Sequence, residues 1–217
     1  MLNLIGELTG DQLICAGLAM VLVLVISFSL HEFGHAFVAY KQGDYTPKST
    51  GRVTLNPLKH MDPVGFICCL LFGFGWAKPV EINPLNFRNY RKGMVLTSIA
   101  GVIVNIILAF LGCGLYLVCL RFLPLTSNLA MFLLYFFEFL YSINLCLFVF
   151  NLLPIYPLDG FKIVDTLTKY NNKFVNFMRQ YGNIILIVLL LCGDGLLLTL
   201  VNWIGMPIEL LWGLIIF

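Results

Sequence analysis

Charge is scarce in this sequence: Asp, Glu, Lys and Arg together make up 11% of the 217 residues, against 60% apolar residues. With a mean hydropathy of +0.93, the chain lies outside the range of a soluble globular domain. A water-exposed surface would have to be built from the same residues that fill the interior, so lipid is expected to cover much of it. A net charge of +2 excludes a nucleic-acid-binding role driven by phosphate neutralisation, because the basic residues cluster in loops and form no helical stripe. No C-x-x-C pair occurs among the seven cysteines, and all stand in apolar stretches where they read as small hydrophobes. Lys and Arg are missing from the first twelve residues, which contain Glu7 and Asp11, and no small-residue cleavage site follows the first apolar run. That run is expected to stay as a membrane anchor.

What is present is a set of long apolar runs. Leu13 to Leu30, continued by the helix-compatible HEFGHAFVAY, is long enough to cross about 30 Å of hydrocarbon at ~1.5 Å per residue. Met94 to Leu120, Leu129 to Phe150 and Ile184 to about Trp203 supply three more predicted spans, and Ile208 to Phe217 is too short to cross alone. The loop between the first two spans carries Lys41, Lys48, Arg52, Lys59, Lys78, Arg88, Arg91 and Lys92, and Lys162, Lys169, Lys173 and Arg179 follow the third span. Both basic loops should face the cytosol, with the N-terminus outside. Within the first loop, GRVTLNP (Gly51 to Pro57) and WAKPVEINP (Trp76 to Pro84) alternate β-formers with Pro and Gly and read as short strands. The apolar Val64 to Gly75 between them is too short for a span and reads as a re-entrant or interfacial segment. The expected fold is an all-α polytopic membrane protein of one domain over residues 1–217, with about four transmembrane helices.

His31, Glu32, Phe33, Gly34 and His35 spell H-E-x-x-H at the end of the first span. The i, i+4 spacing puts both imidazoles on one helix face, and Glu32 beside them is placed to act as a base on water, the arrangement of zinc hydrolases. Burying Glu32 between two histidines at the end of an apolar helix costs several kcal/mol unless compensated, and a metal is the natural compensation. Catalytic zinc takes three protein ligands. The available third groups are His60, Asp62, Glu138, Asp159, Asp165 and Asp194. Depth favours Asp159: NLLPIYPLDG follows the third span directly, whereas Glu138 lies roughly 20 Å away along the axis and Asp194 is similarly displaced. Pro154 and Pro157 break the helix and free backbone groups that need a protein-lined or wet cavity. An ordinary helix exit with Asp159 capping the next helix fits these residues equally well.

HEFGH, AGVIVN (Ala100 to Asn105) and FNLLPIYPLDG (Phe150 to Gly160) together resemble the site-2 protease family of intramembrane zinc metalloproteases. GRVTLNPLKHMDPVG and GWAKPVEINP resemble its short, PDZ-lacking members. The resemblance implies that His31, His35 and Asp159 hold Zn²⁺, that Glu32 is the catalytic base, and that Asn151 holds the substrate backbone or the oxyanion. Transmembrane protein substrates are expected with this reading, the cell membrane is the expected location, and the basic loops place the H-E-x-x-H end of the first span near the cytosolic face. Two departures stand out: Val102 replaces the usual Pro of the central motif, and Phe161 and Lys162 replace a Gly and an Arg after Asp-Gly. A lone loop histidine such as His60 is more often structural. The alternative function for the same residues is a non-proteolytic metal-binding membrane scaffold or transporter.

Overall fold

The computed structural model describes residues 10–72, 75–124, 127–169 and 171–217, without the side chains of Phe72 and Asp194. Glu7, the Gly73–Phe74 part of the expected re-entrant segment, and the side chain of Asp194 therefore lie outside the described residues. Eight α-helices appear among those described: α1 Gly10–Gln42, α2 Thr46–Ser49, α3 Pro63–Phe72, α4 Tyr90–Phe122, α5 Asn128–Leu152, α6 Asp159–Leu167, α7 Lys173–Cys192 and α8 Asp194–Ile216. Short 3₁₀ turns at Pro57–Lys59 and Pro84–Asn86 complete the loop between α1 and α4.

Five helices are long and apolar enough to cross a membrane: α1, α4, α5, α7 and residues Gly195–Ile216 of α8. The chain is an all-α, multi-pass integral membrane protein. Two expectations change. Where one span was expected from Ile184 to Trp203, two helices meet at Gly193, and the Ile208–Phe217 tail is the end of the second. The added length of α7 comes from Lys173–Gly182, whose polar residues hide it from an apolar-run criterion. No strand forms among the described residues. The second stretch read as a strand makes one antiparallel bridge, Ala77 with Met61, extended by Lys78 N–H donating to the His60 carbonyl at 2.8 Å, and both of these partners lie beyond the end of the first stretch at Pro57. Pro57, Pro63, Pro79 and Pro84 remove the donors that a longer ladder would need. The guanidinium of buried Arg52 does the joining instead, donating to the carbonyls of Lys59, Lys78 and Pro79.

The structural centre is α1, α4 and α5, which pack on one another more than any other elements do. Small residues permit the approach. A Cβ at Gly34 of α1 would sit 3.2 Å from the Ala100 carbonyl of α4, and one at Gly112 of α4 would sit 2.6 Å from the Tyr141 nitrogen of α5. Asn144 of α5, fully buried, donates to Ser27 of α1 at 2.8 Å, a polar link between the two helices inside the bundle. On the outer side, α8 lays Trp212 against Gly114, donates from its indole to the Phe110 carbonyl at 2.9 Å, and accepts from Tyr141 through Glu209 at 2.7 Å. The ten-residue α3 is only about 15 Å long. It packs Cys69 against Leu24 and Phe28 of α1, seven and three residues before His31, so it reaches into the depth of the apolar stretch.

Helix α1 ends in a Schellman turn. Gly43, at φ 111°, donates to the Tyr40 carbonyl while Asp44 N–H donates to that of Ala39 at 3.0 Å, and only glycine takes that φ cheaply. Asp44 is completely buried and accepts from the Thr46 hydroxyl, the Thr46 and Asn83 N–H groups and the Asn86 amide. Burial pushes its carboxyl up, but these bonds outweigh burial and hold it below the ordinary carboxylate range. Asp44 therefore clamps the loop before α4 to the end of α1.

The five spans make a topological prediction. Reporters fused after Asn172 and after Phe217 should lie on the same side of the membrane, and one after Gly193 on the other. Sided labelling that puts Phe217 with Gly193 would contradict two crossings by α7 and α8.

Candidate metal centre

The histidine pair is set by helix geometry and by the neighbour of α1. His31 and His35 are one turn apart, both buried, with Nε2 atoms 3.0 Å from each other. Their face is turned against Gly101 of α4, where an added Cβ would collide with His35 Nε2 and sit 2.6 Å from His31 Cε1. Val102 follows, nearly inaccessible, and α4 runs through this point without interruption. Two groups on α4 meet the far sides of the rings. The Thr97 carbonyl is 2.7 Å from His35 Nδ1, and the Asn105 amide nitrogen is 3.1 Å from His31 Nδ1.

The third group arrives through the break between α5 and α6. Pro154 and Pro157 stop α5 at Leu152, and after six intervening residues the chain restarts as α6 at Asp159. Gly160 lets α6 fold against the end of α5, since a Cβ there would press on the Leu152 and Leu153 carbonyls. Phe161 is buried and meets Tyr156 edge-on, with ring centroids 5.5 Å apart. The departures at Phe161 and Lys162 thus have visible jobs: one anchors the turn, and the other places its ammonium 2.8 Å from Asp159 Oδ1. Leu158 is at the N-cap position and no side chain caps α6, so Asp159 is not a capping residue.

Asp159 Oδ2 lies 3.0 Å from His35 Nε2 and 3.4 Å from His31 Nε2. These three side chains are the group among the described residues that could hold a metal ion. The atoms fit zinc: ligand atoms about 2.0–2.1 Å from a tetrahedral ion are separated by about 3.3 Å, and the observed edges are 3.0, 3.0 and 3.4 Å. Asp159 Oδ2 is buried without a hydrogen bond of adequate geometry, an unmet acceptor that a cation would satisfy.

Glu32 is half-buried beside His31 and accepts from the Val80 N–H at 3.1 Å, which brings the extended Trp76–Asn83 stretch to the edge of the centre. Asn151, on the last turn of α5, is half-buried, and its side chain has no hydrogen-bond partner among the described residues. The other sequence candidates lie elsewhere. His60 is fully buried, its Nε2 2.8 Å from the Thr54 carbonyl, Asp62 accepts from Gly65 N–H, Asp165 pairs with Arg179 at 2.8 Å, and Glu138 stands in the middle of α5. Sequence reasoning missed Thr97, Gly101, Val80 and Lys162 as neighbours of the centre. Gly101 stands in the AGVIVN motif, Val80 in WAKPVEINP, and Lys162 stood out only as a departure from the family pattern, whereas Thr97 left no trace.

The sequence profile described as Peptidase family M50 matches residues 126–192. "Putative zinc metalloprotease YwhC" of Bacillus subtilis (strain 168) is 45% identical over 174 residues, 78% of either chain. "Putative zinc metalloprotease Rip2" of Mycolicibacterium smegmatis is 31% identical over 175 residues, 77% of this chain and 64% of that protein. The protein of the same name from Mycobacterium tuberculosis (strain ATCC 25618 / H37Rv) is 30% identical over 211 residues, 92% of this chain and 78% of that one. No solved structure matches the chain.

The contact at Gly101 is testable. Gly101→Ala should force the imidazoles or the two helices apart and cost about 1–3 kcal/mol, seen as a lowered melting temperature in detergent. An unchanged melt would mean that α1 and α4 are not held this closely.

Proposed function

Because the chain belongs to peptidase family M50, we propose that it is an intramembrane zinc metalloprotease, a single domain that hydrolyses peptide bonds in or near the transmembrane segments of other membrane proteins. The observation that carries the proposal is the convergence of His31 Nε2, His35 Nε2 and Asp159 Oδ2 within 3.0–3.4 Å of one another, with Glu32 adjacent on α1. His31, His35 and Asp159 are the zinc ligands in this reading. Zinc bound there would supply Lewis-acid polarisation and make water a usable nucleophile near neutral pH.

The chain's own residues do the rest. Glu32 takes the proton of the attacking water and returns it to the nitrogen of the leaving amine. Its carboxylate is held by the Val80 N–H, which fixes one oxygen and leaves the other to the water. Lys162, paired with Asp159 Oδ1, aims Oδ2 at the imidazoles. Asn151 is assigned to the substrate backbone or the developing oxyanion, a role for which its unpaired amide supplies the donor. A substrate helix has to unwind locally, because a helical carbonyl is already hydrogen-bonded and shielded. The extended Trp76–Asn83 stretch is the piece of chain nearest to receive it. The basic loops on either side of α4 and α5 support a cytosolic-facing centre in the cell membrane, with bilayer lipid and transmembrane substrates as partners and no nucleic acid.

Purified Glu32→Gln should retain zinc and lose cleavage of a transmembrane fusion by at least about a hundredfold, while Asp159→Ala should lose zinc as well. Undiminished proteolysis by Glu32→Gln would overturn the base assignment. Stoichiometric zinc in the wild type with no turnover, or ion flux in liposomes, would favour the scaffold or transporter reading. Cleavage of soluble peptides in preference to the fusion would remove the intramembrane element.

A further inference from the structure

One nitrogen of each imidazole is committed to the centre, and the other needs a partner. For His35 that partner is unambiguous. Its Nδ1 is 2.7 Å from the Thr97 carbonyl, a group that only accepts, so Nδ1 carries the proton and Nε2 presents its lone pair to His31 and Asp159. An imidazole ligates through a lone pair, and ligating histidines donate their other N–H to an acceptor that fixes the tautomer. The same requirement falls on His31.

His31 Nδ1 faces into α4, where it meets Asn105, four residues beyond Gly101. Asn105 is fully buried in the apolar middle of that helix, an expensive place for an amide. Its Nδ2 lies 3.1 Å from His31 Nδ1, and its Oδ1 is buried with no partner. The two ends of the amide are nearly the same size, so half a turn about the terminal torsion puts Oδ1 where Nδ2 stands without moving the backbone. We propose that Asn105 is a positioning residue for His31: Oδ1 accepts the Nδ1–H and fixes the tautomer whose Nε2 lone pair faces His35 and Asp159. Asn105 touches neither water nor substrate and acts through the ring alone. The proposal rests on the zinc reading of the centre. It gives α4 a defined part, in which one helix supplies the outer partner of both imidazoles, a backbone carbonyl for one and a side-chain amide for the other.

The test is zinc affinity, measured on the full-length protein in detergent at fixed pH by competition with a chromophoric chelator. Asn105→Leu keeps the volume and removes the acceptor, and should weaken zinc binding about 10–100-fold. Asn105→Asp keeps an acceptor and should bind within about threefold of the wild type or more tightly. Asn105→Ala replaces the leucine variant if that side chain is not accommodated. Melting in excess chelator separates folding from ligation, since a merely structural amide would lower the melt of the leucine variant and leave its zinc affinity alone. Wild-type affinity in folded Asn105→Leu overturns the proposal, as does equal weakening in Asn105→Asp and Asn105→Leu. A wild type that binds no zinc removes the metal centre itself and the proposal with it, an outcome distinct from a zinc-loaded wild type indifferent to residue 105.

Discussion

The structure depends on one arrangement that is unfavourable by itself: two imidazole nitrogens and a carboxylate oxygen turned toward the same buried point. Acceptors do not gather in an apolar interior without a donor or a cation between them, and each unmet one costs free energy. Holding them together requires rigid supports on every side. The i, i+4 spacing of α1 gives the first two, and glycines at the α1–α4 contact let the helices close to the distance at which Thr97 and Asn105 reach the rings. The proline break after α5 and Gly160 deliver the third. Removing any one support leaves the other groups buried and unpaired.

The parts far from the centre serve the same end. Asp44 locks the loop before α4 to the exit of α1, and Arg52 ties the two extended stretches of that loop together. The second of these stretches ends on Glu32 through Val80. The position of the proposed base is therefore fixed by the helix that carries it and also by a loop anchored at two buried charged side chains. α7 and α8, which bury little of themselves, form the periphery, with α8 attached to α4 and α5 through Trp212 and Glu209.

Much of this was legible in the chain, because the signals were local. H-E-x-x-H on an apolar helix and the long runs of α1, α4 and α5 follow from spacing and hydropathy, while the residues alone left Asp159 open between third ligand and helix cap, and the family resemblance pointed to the ligand. What was not legible was relational. The boundary at Gly193 lies inside a run that hydropathy joins, while the first half of α7 is too polar to be counted with it. The loop strands were read from their β-formers, but their prolines decide the outcome by removing donors. Lys162, read as a departure from a family pattern, turns out to be the partner of Asp159 Oδ1. Thr97, which meets the His35 ring through its carbonyl, and Val80, which meets Glu32 through its N–H, carry no signature of these contacts, since any residue offers a carbonyl and nearly any an N–H.

The most direct test of the central claim is X-ray absorption at the zinc edge of the purified full-length protein. The account predicts one zinc per chain with only nitrogen and oxygen neighbours at about 2.0–2.2 Å, including the outer-shell scattering of two imidazole rings. A protein purified without zinc that does not take it up, or a spectrum dominated by sulfur at about 2.3 Å, would contradict it.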